Sequence, residues 1–280
     1  MMTNPNPLRK HFRQPAIYIR LPSQGRYYPQ GALSMPPNGE LAVLPMTAMD
    51  EITSRTPDAL FNGSAVVELI RSCVPNIVDP WSVPATDFNT LLVAMRLASY
   101  GHEMDINTTC PKCGHEHRFG LDLRVVLDTL QSADYETPLQ MGDLTFYFAP
   151  PNYKSMNDIS RAQFDDQKIT QALSQTDAPE DQRLKQLGDA FRRITELTMT
   201  SVTHSIVTVK TADAMVTDQG HIREFLVNCP KHIFEQIKEH VIRLRSTSDF
   251  KPLQITCSNC ANQYTQEFTL DMSNFFAINS

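Results

Sequence analysis

The feature that most constrains this chain is a phrase written twice. "CPKCGHEHRFGLDL" begins at Cys110 and "CSNCANQYTQEFTLDM" at Cys257. Each holds a Cys-x-x-Cys, a polar turn, and an alternating run that closes on Leu-Asp-Leu or Leu-Asp-Met. A Cys-x-x-Cys turn aims two sulfurs at one point, and two such turns complete a tetrahedral shell of four thiolates. Soft sulfur selects zinc or iron over magnesium or calcium. Cys110, Cys113, Cys257 and Cys260 are therefore the candidate ligands of one structural metal ion. Zinc is preferred to iron, since nothing else in the chain points to electron transfer.

The spacing of the two phrases sets the expected architecture. Zinc ribbons join their knuckles by short connections, whereas residues 114–256 separate these. The reading is an α+β fold in which a discontinuous zinc-ribbon-like hairpin pair carries a long, mostly helical insertion, preceded by a strand-rich and helical segment. The expected divisions are an extended arm with short strands (1–46), a helical segment (47–101), the discontinuous ribbon-like module (102–124 plus 250–272) and the inserted helical subdomain (125–249). A metal clamping the ends of so long a loop removes unfolded-chain entropy as a cross-link does. Structural zinc contributes on the order of 10 kcal/mol or more to the folding of small modules.

Hydrophobic periodicity fills in the elements. Ile17, Ile19 and Leu21 alternate with Tyr18 and Arg20, as a half-buried strand does, and Leu41 and Val43 form a second extended piece. Thr47 with Asp50 three residues later is a short-armed capping box. Val66, Leu69, Ile70 and Cys73 share a helical face, and "DFNTLLVAMRLASYG" is a strong helix stopped by Gly101. "LTFYFAPP" is strand-like, and the chain from Tyr153 to about Met199 is helical, with Leu184, Leu187, Phe191, Ile194 and Leu197 on one stripe that suits core or interface packing. "SIVTVKTADAMVTDQ" reads either as a short hairpin or as more helix. Two helical pieces split at Pro230 follow, with Phe225, Phe234, Ile237 and Val241 facing inward.

Three sharper uses of the cysteines compete with the structural one. A redox dithiol favours a helix N-terminus after a strand, but these pairs lead into strands. A catalytic zinc, with His115 or His117 as a ligand, needs an open position that four thiolates do not leave. A nucleic-acid-binding ribbon, as in a transcription accessory protein, would use Lys112 and Arg118, yet the second knuckle has no positive charge and the chain carries −6 overall. No phosphate loop, nucleophile elbow or H-E-x-x-H motif is present, so the expectation is a non-enzyme. Cys73 and Cys229 are expected to be buried free thiols. No apolar run approaches a membrane span and the first residues lack a signal-peptide core; the expected setting is a cytoplasm, where thiols stay reduced.

Three stretches resemble one family. "IRLPSQGRYYPQG" is similar to the "LPS-x-G-x-x-Y" opening of baseplate proteins of contractile-tailed phages, "LLVAMRLASYGHEMDINTTCPKCG" to their central segment, and "VTDQGHIREFLVNCPKHIFEQI" to their later helical part. The chain thus resembles the T-even-type phage baseplate hub family. The resemblance implies a hub protein acting in virion tail assembly through contacts with other tail baseplate proteins, as an assembly factor in the host cytoplasm or as a subunit kept in the virion. It carries over no catalytic residues. Helices with apolar stripes offer partner-binding surfaces. Tyr27 and Tyr28 in the extended arm are candidate partner-binding residues, because aromatic side chains are favoured interface anchors; packing on their own domain is the alternative.

Overall fold

The computed structural model describes residues 6–54, 56, 62–174 and 180–268. The chain forms two units. One holds Met1–Pro80, Asp87–Leu130 and Phe250–Ser280; the other holds Trp81–Thr86 and Gln131–Asp249.

In the first unit, β1 (Ile17–Ile19) pairs antiparallel with β2 (Leu41–Val43), Ile19 lying opposite Leu41 and Ile17 opposite Val43. Ile19, Leu41 and Val43 are buried while Tyr18 faces solvent, as the period of two requires. The capping box forms ahead of α1 (Ala48–Ser54): Asp50 Oδ2 accepts from the Thr47 N–H at 2.7 Å, and Thr47 Oγ1 accepts from the Asp50 N–H at 3.2 Å. Helix α2 (Ser64–Cys73) buries Val66, Leu69, Ile70 and Cys73, the face expected from the sequence.

Helix α3 spans Ala85–Tyr100. Residues 90–96 are all buried, so the helix runs through the core and its polar residues need internal partners. Asp87, which is fully enclosed, accepts from the N–H and the Oγ–H of Ser23 at 2.8 and 2.5 Å. Arg96 places its guanidinium 5.4 Å from the centre of the Tyr100 ring. Gly101, at φ +90°, ends the helix. Ser23 sits in a loop where Gln24, Gly25 and Tyr27 all adopt positive φ, a conformation costly for the two non-glycine residues. Two antiparallel hairpins complete the unit: β3 (Glu103–Thr109) with β4 (Glu116–Asp122), and β9 (Leu253–Thr256) with β10 (Gln263–Gln266). Between them in sequence, α4 (Leu123–Thr129) follows β4 directly, capped by the Asp122 carboxylate, which accepts from the Arg124 N–H at 2.9 Å.

The second unit is built on a four-stranded antiparallel sheet of β5 (Leu139–Met141), β6 (Leu144–Phe148), β7 (Ile206–Lys210) and β8 (Met215–Val216), in that order. Ile206–Lys210 is therefore strand and pairs with Met215–Val216, which is the hairpin reading of this stretch. Helices α5 (Tyr153–Ser174) and α6 (Glu180–Ser205) lie in the chain between the neighbouring strands β6 and β7. The Ala149 N–H donates to the Ser205 carbonyl at 3.0 Å, closing the base of this excursion. Helix α7 (Gln219–Asn228) is capped by Asp218, and α8 (Lys231–Thr247) starts after Pro230. Phe146, Ile206, Ile222, Leu226, Ile237 and Val241 form the core, with Phe225 and Phe234 half-buried. Arg245 of α8 donates to the Ser201 and Ser205 hydroxyls of α6 at 2.8 and 2.9 Å.

The sequence places the α6 stripe in a core or an interface. Of the α6 stripe, Leu184 and Leu187 lie outside the described side chains, and Phe191 and Ile194 are 62% and 53% exposed rather than in this chain's core. Leu197 is half-buried, so the core setting is excluded only at Phe191 and Ile194. Cys73 is buried as expected, whereas Cys229 is only half-buried at the end of α7.

Candidate metal centre

Both knuckles form for the same local reason. In the first, the Cys110 N–H donates to the His115 carbonyl at 3.0 Å and the Gly114 N–H to the Cys110 carbonyl at 2.9 Å. In the second, the Cys257 N–H donates to the Asn262 carbonyl at 2.9 Å and the Ala261 N–H to the Cys257 carbonyl at 3.0 Å. The residue after each second cysteine turns left-handed, Gly114 at φ +68° and Ala261 at φ +56°. The two phrases are thus repeated as geometry as well as spelling.

The two knuckles meet. Cys110 Sγ lies 3.7 Å from Cys260 Sγ, Cys113 Sγ lies 3.7 Å from Cys257 Sγ, and all four sulfurs fall within 4.8 Å of one another. A tetrahedron with metal–sulfur bonds near 2.3 Å has edges of about 3.8 Å. The spacing fits a bound ion and is far too long for disulfide bonds; all four cysteines are free. Cys110 and Cys257 are buried, Cys260 is half-buried and Cys113 is exposed. Among the described residues this is the one group of three or more His, Cys, Asp or Glu side chains with metal-holding geometry.

The thiols do not titrate alike. Burial raises Cys110, but the backbone N–H groups of Cys113 and Lys112 and the neighbouring thiols outweigh it and bring it down to about 6. The His115 N–H and the Cys260 thiol lower Cys113. The Asn262 N–H lowers Cys260, yet the three surrounding sulfurs and burial together push it up to about 12. Four sulfurs at these distances share protons, and a cation at their centre would replace those protons. The donor set, four thiolates without an open position, suits structural zinc better than catalysis.

Sequence reasoning missed what surrounds the sulfurs. Asn259 Nδ2 reaches Cys113 Sγ at 3.8 Å and Asn262 Nδ2 reaches Cys110 Sγ at 4.0 Å, each amide crossing from the second knuckle to the first. The hairpins also touch through Thr108 Oγ1 and the Tyr264 hydroxyl, 2.8 Å apart. His117 stacks on His115 with ring centres 5.8 Å apart and meets the Tyr264 ring edge-on. Neither histidine belongs to the sulfur cluster. No local sequence signal marks Asn259 and Asn262 as partners of the first knuckle's sulfurs, because the contact crosses about 150 residues of chain.

Tyr27 and Tyr28 lie elsewhere in the same unit, and both are half-buried. The Tyr28 hydroxyl is enclosed and faces the Asp87 carboxylate without closing a well-directed hydrogen bond. Burial, and then the charge of Asp87, hold its hydroxyl far above the ordinary tyrosine range.

The family model of the T4 bacteriophage base plate protein matches residues 39–277. The chain belongs to that family. In this base plate protein the matched segment includes both cysteine pairs, whereas "LPSQGRYY" precedes it. No curated protein and no solved structure matches the chain. Membership gives the protein a general role in the phage base plate, in association with other base plate proteins. Among the described residues, no helix is long and apolar enough to cross a membrane.

Proposed function

We propose that this base plate protein acts at the hub of the tail base plate, in virion tail assembly, by docking on other tail proteins and without catalysing a reaction. Cys110, Cys113, Cys257 and Cys260 hold one zinc ion, and the paired hairpins form a zinc-ribbon-like module. The ion's work is mechanical. It joins two hairpins separated by more than a hundred residues, so that the unit docks as a rigid body. The observation that carries the reading is the family match across residues 39–277. The 3.7 Å sulfur spacings support the metal, and the resemblance of the knuckle-bearing stretches to hub proteins supports the place in the particle.

In this reading the loop bearing Tyr27 and Tyr28 is part of the docking surface. Tyr27 is the contact with Tyr28 behind it, and Ser23 ties the loop to Asp87. The protein is made in the host cytoplasm and reaches the tail there. Mass spectrometry of purified virions, beside a pull-down from infected cells, tests the proposal. A retained subunit is found in the particle, and an assembly factor is captured with hub proteins from lysate alone. Co-purification with no hub protein in either sample overturns it, as does a salt-sensitive shift of DNA or RNA at micromolar protein without any tail partner.

A further inference from the structure

Charge is unevenly placed along this chain. The first 46 residues hold five Lys or Arg against the single acid Glu40, a net of +4, so residues 47–280 carry −10 to reach the overall −6. Part of the basic segment is fixed in place. Asn6 caps the turn Pro7–His11 by accepting from the Leu8 N–H at 3.0 Å. Arg13 roots the turn, its guanidinium donating to the Pro45 carbonyl at 2.6 Å and to the Ser72 carbonyl and hydroxyl at 2.8 and 2.7 Å. Beyond that root the side chains stand in solvent: Leu8 and Phe12 are 62% and 55% exposed, and Arg9 and Lys10 are exposed beside them without an ion pair to any described residue.

The same unit carries a surface of opposite character. On the β3–β4 hairpin, Met104, Ile106, His117 and Phe119 alternate with outward residues, and the outward face bears Glu103, Asp105, Glu116 and Asp122, the last paired with Arg124 at 2.7 Å. Arg118 on that face sits 4.0 Å from Asp105. Glu116 forms no ion pair with a described Lys or Arg; Glu103, whose side chain is 90% exposed, lies 3.8 Å from His102 and within the electrostatic reach of Arg124.

We propose that the Leu8–Phe12 turn of one copy docks on the outer acidic face of the β3–β4 hairpin of a second copy. The two surfaces are different parts of one chain, so the contact is head-to-tail, and repetition of it builds a ring or a stack rather than a two-fold dimer. Arg9 and Lys10 diverge from the turn toward the acids of this face, whose ends are marked by Glu103 and Glu116 about 20 Å apart. This match of charge sets orientation and speeds encounter. Leu8 and Phe12 bring exposed apolar surface beside those charges. The proposal stands apart from the metal and from the hub reading.

Sedimentation velocity of the full chain tests it, since exposed charges are screened as salt rises from about 0.05 M to about 0.5 M. Self-association is expected at low salt and is lost at high salt. Arg9→Glu/Lys10→Glu and, separately, Glu103→Lys/Glu116→Lys each weaken association by about tenfold or more at low salt. The chain carrying all four reversals regains it to within about threefold, because the signs are exchanged and complementarity is kept. Far-UV circular dichroism unchanged from the parent shows that each variant is folded. A monomer at low salt, association indifferent to either pair of reversals, or a folded fourfold variant that stays monomeric overturns the proposal.

Discussion

Ser23 and Asp87, 64 residues apart in sequence, hold each other through two hydrogen bonds to one enclosed carboxylate. The bonds anchor a loop whose Gln24 and Tyr27 are held in left-handed backbone. Asp87→Ala leaves the buried Ser23 N–H without its acceptor, and the expected loss is about 2–3 kcal/mol in urea unfolding. Burial raises the Asp87 carboxyl to about 6, against the lowering effect of its Ser23 and Tyr28 contacts. The folded state therefore binds this proton more tightly than the unfolded chain, and the contribution to stability rises as pH falls through 6 and is complete below the unfolded value near 4. Asp87→Asn imitates the protonated form. It is expected to exceed the parent in stability above pH 6 by roughly 1–3 kcal/mol, with the gap closing toward pH 4. A gap independent of pH would remove Asp87 as its source.

Elemental analysis of the purified protein is expected to find one zinc per chain. Cys110→Ser or Cys260→Ser removes the metal and destabilises the unit, whereas Cys73→Ser and Cys229→Ser leave the metal content unchanged. Chelation of the parent produces the same loss as Cys260→Ser. Its cost, measured by calorimetry, is expected to be several kcal/mol or more, given that structural zinc sites contribute about 10 kcal/mol in small modules.

The two knuckles differ at their left-handed residue, and this difference is measurable. Ala261, at φ +56°, carries a Cβ where the backbone prefers glycine, so Ala261→Gly stabilises or is neutral, within about 1 kcal/mol. A Cβ on Gly114 meets nothing within 4 Å, so Gly114→Ala costs only the backbone term, about 1 kcal/mol. Thermal unfolding of the metal-loaded protein distinguishes the two signs.

Arg13 joins three places at once: the Pro45 carbonyl, the Asp50 carboxylate at 3.2 Å, and Ser72. Its planar fork is what allows several donors to serve acceptors in different directions. Arg13→Lys is expected to be nearly as harmful as Arg13→Ala, each costing about 2–3 kcal/mol in chemical denaturation, since part-buried acceptors are left unpaired.

Phe191→Ser with Ile194→Ser should change stability by no more than about 0.5 kcal/mol, because both side chains are mostly exposed. A loss of several kcal/mol would return these residues to the core.

What could be read from the sequence divides along physical lines. The four cysteines declare themselves because ligand chemistry fixes both residue type and spacing, and the Thr47–Asp50 box because a cap is a local device. The turns, the β1–β2 pair and the inward faces of α2 and α8 follow from periodicity within a few residues. The Ser23–Asp87 pair and the Arg13 clip were illegible, since one polar residue meeting another many residues away leaves no periodic trace. The α6 stripe was legible as a helix, but its environment was not: Phe191 has the same pattern whether a core or solvent lies beyond it.

The placement of α5 and α6 between two strands that already pair has an evolutionary consequence. With β6 bonded to β7 and the Ala149–Ser205 bond shutting the base, turns can be added to or taken from both helices without disturbing the register below. Doubling that excursion would add only about 0.6 kcal/mol of closure entropy. The two helices work like a telescoping mast, whose height a lineage can retune to new neighbours while the foundation is inherited intact.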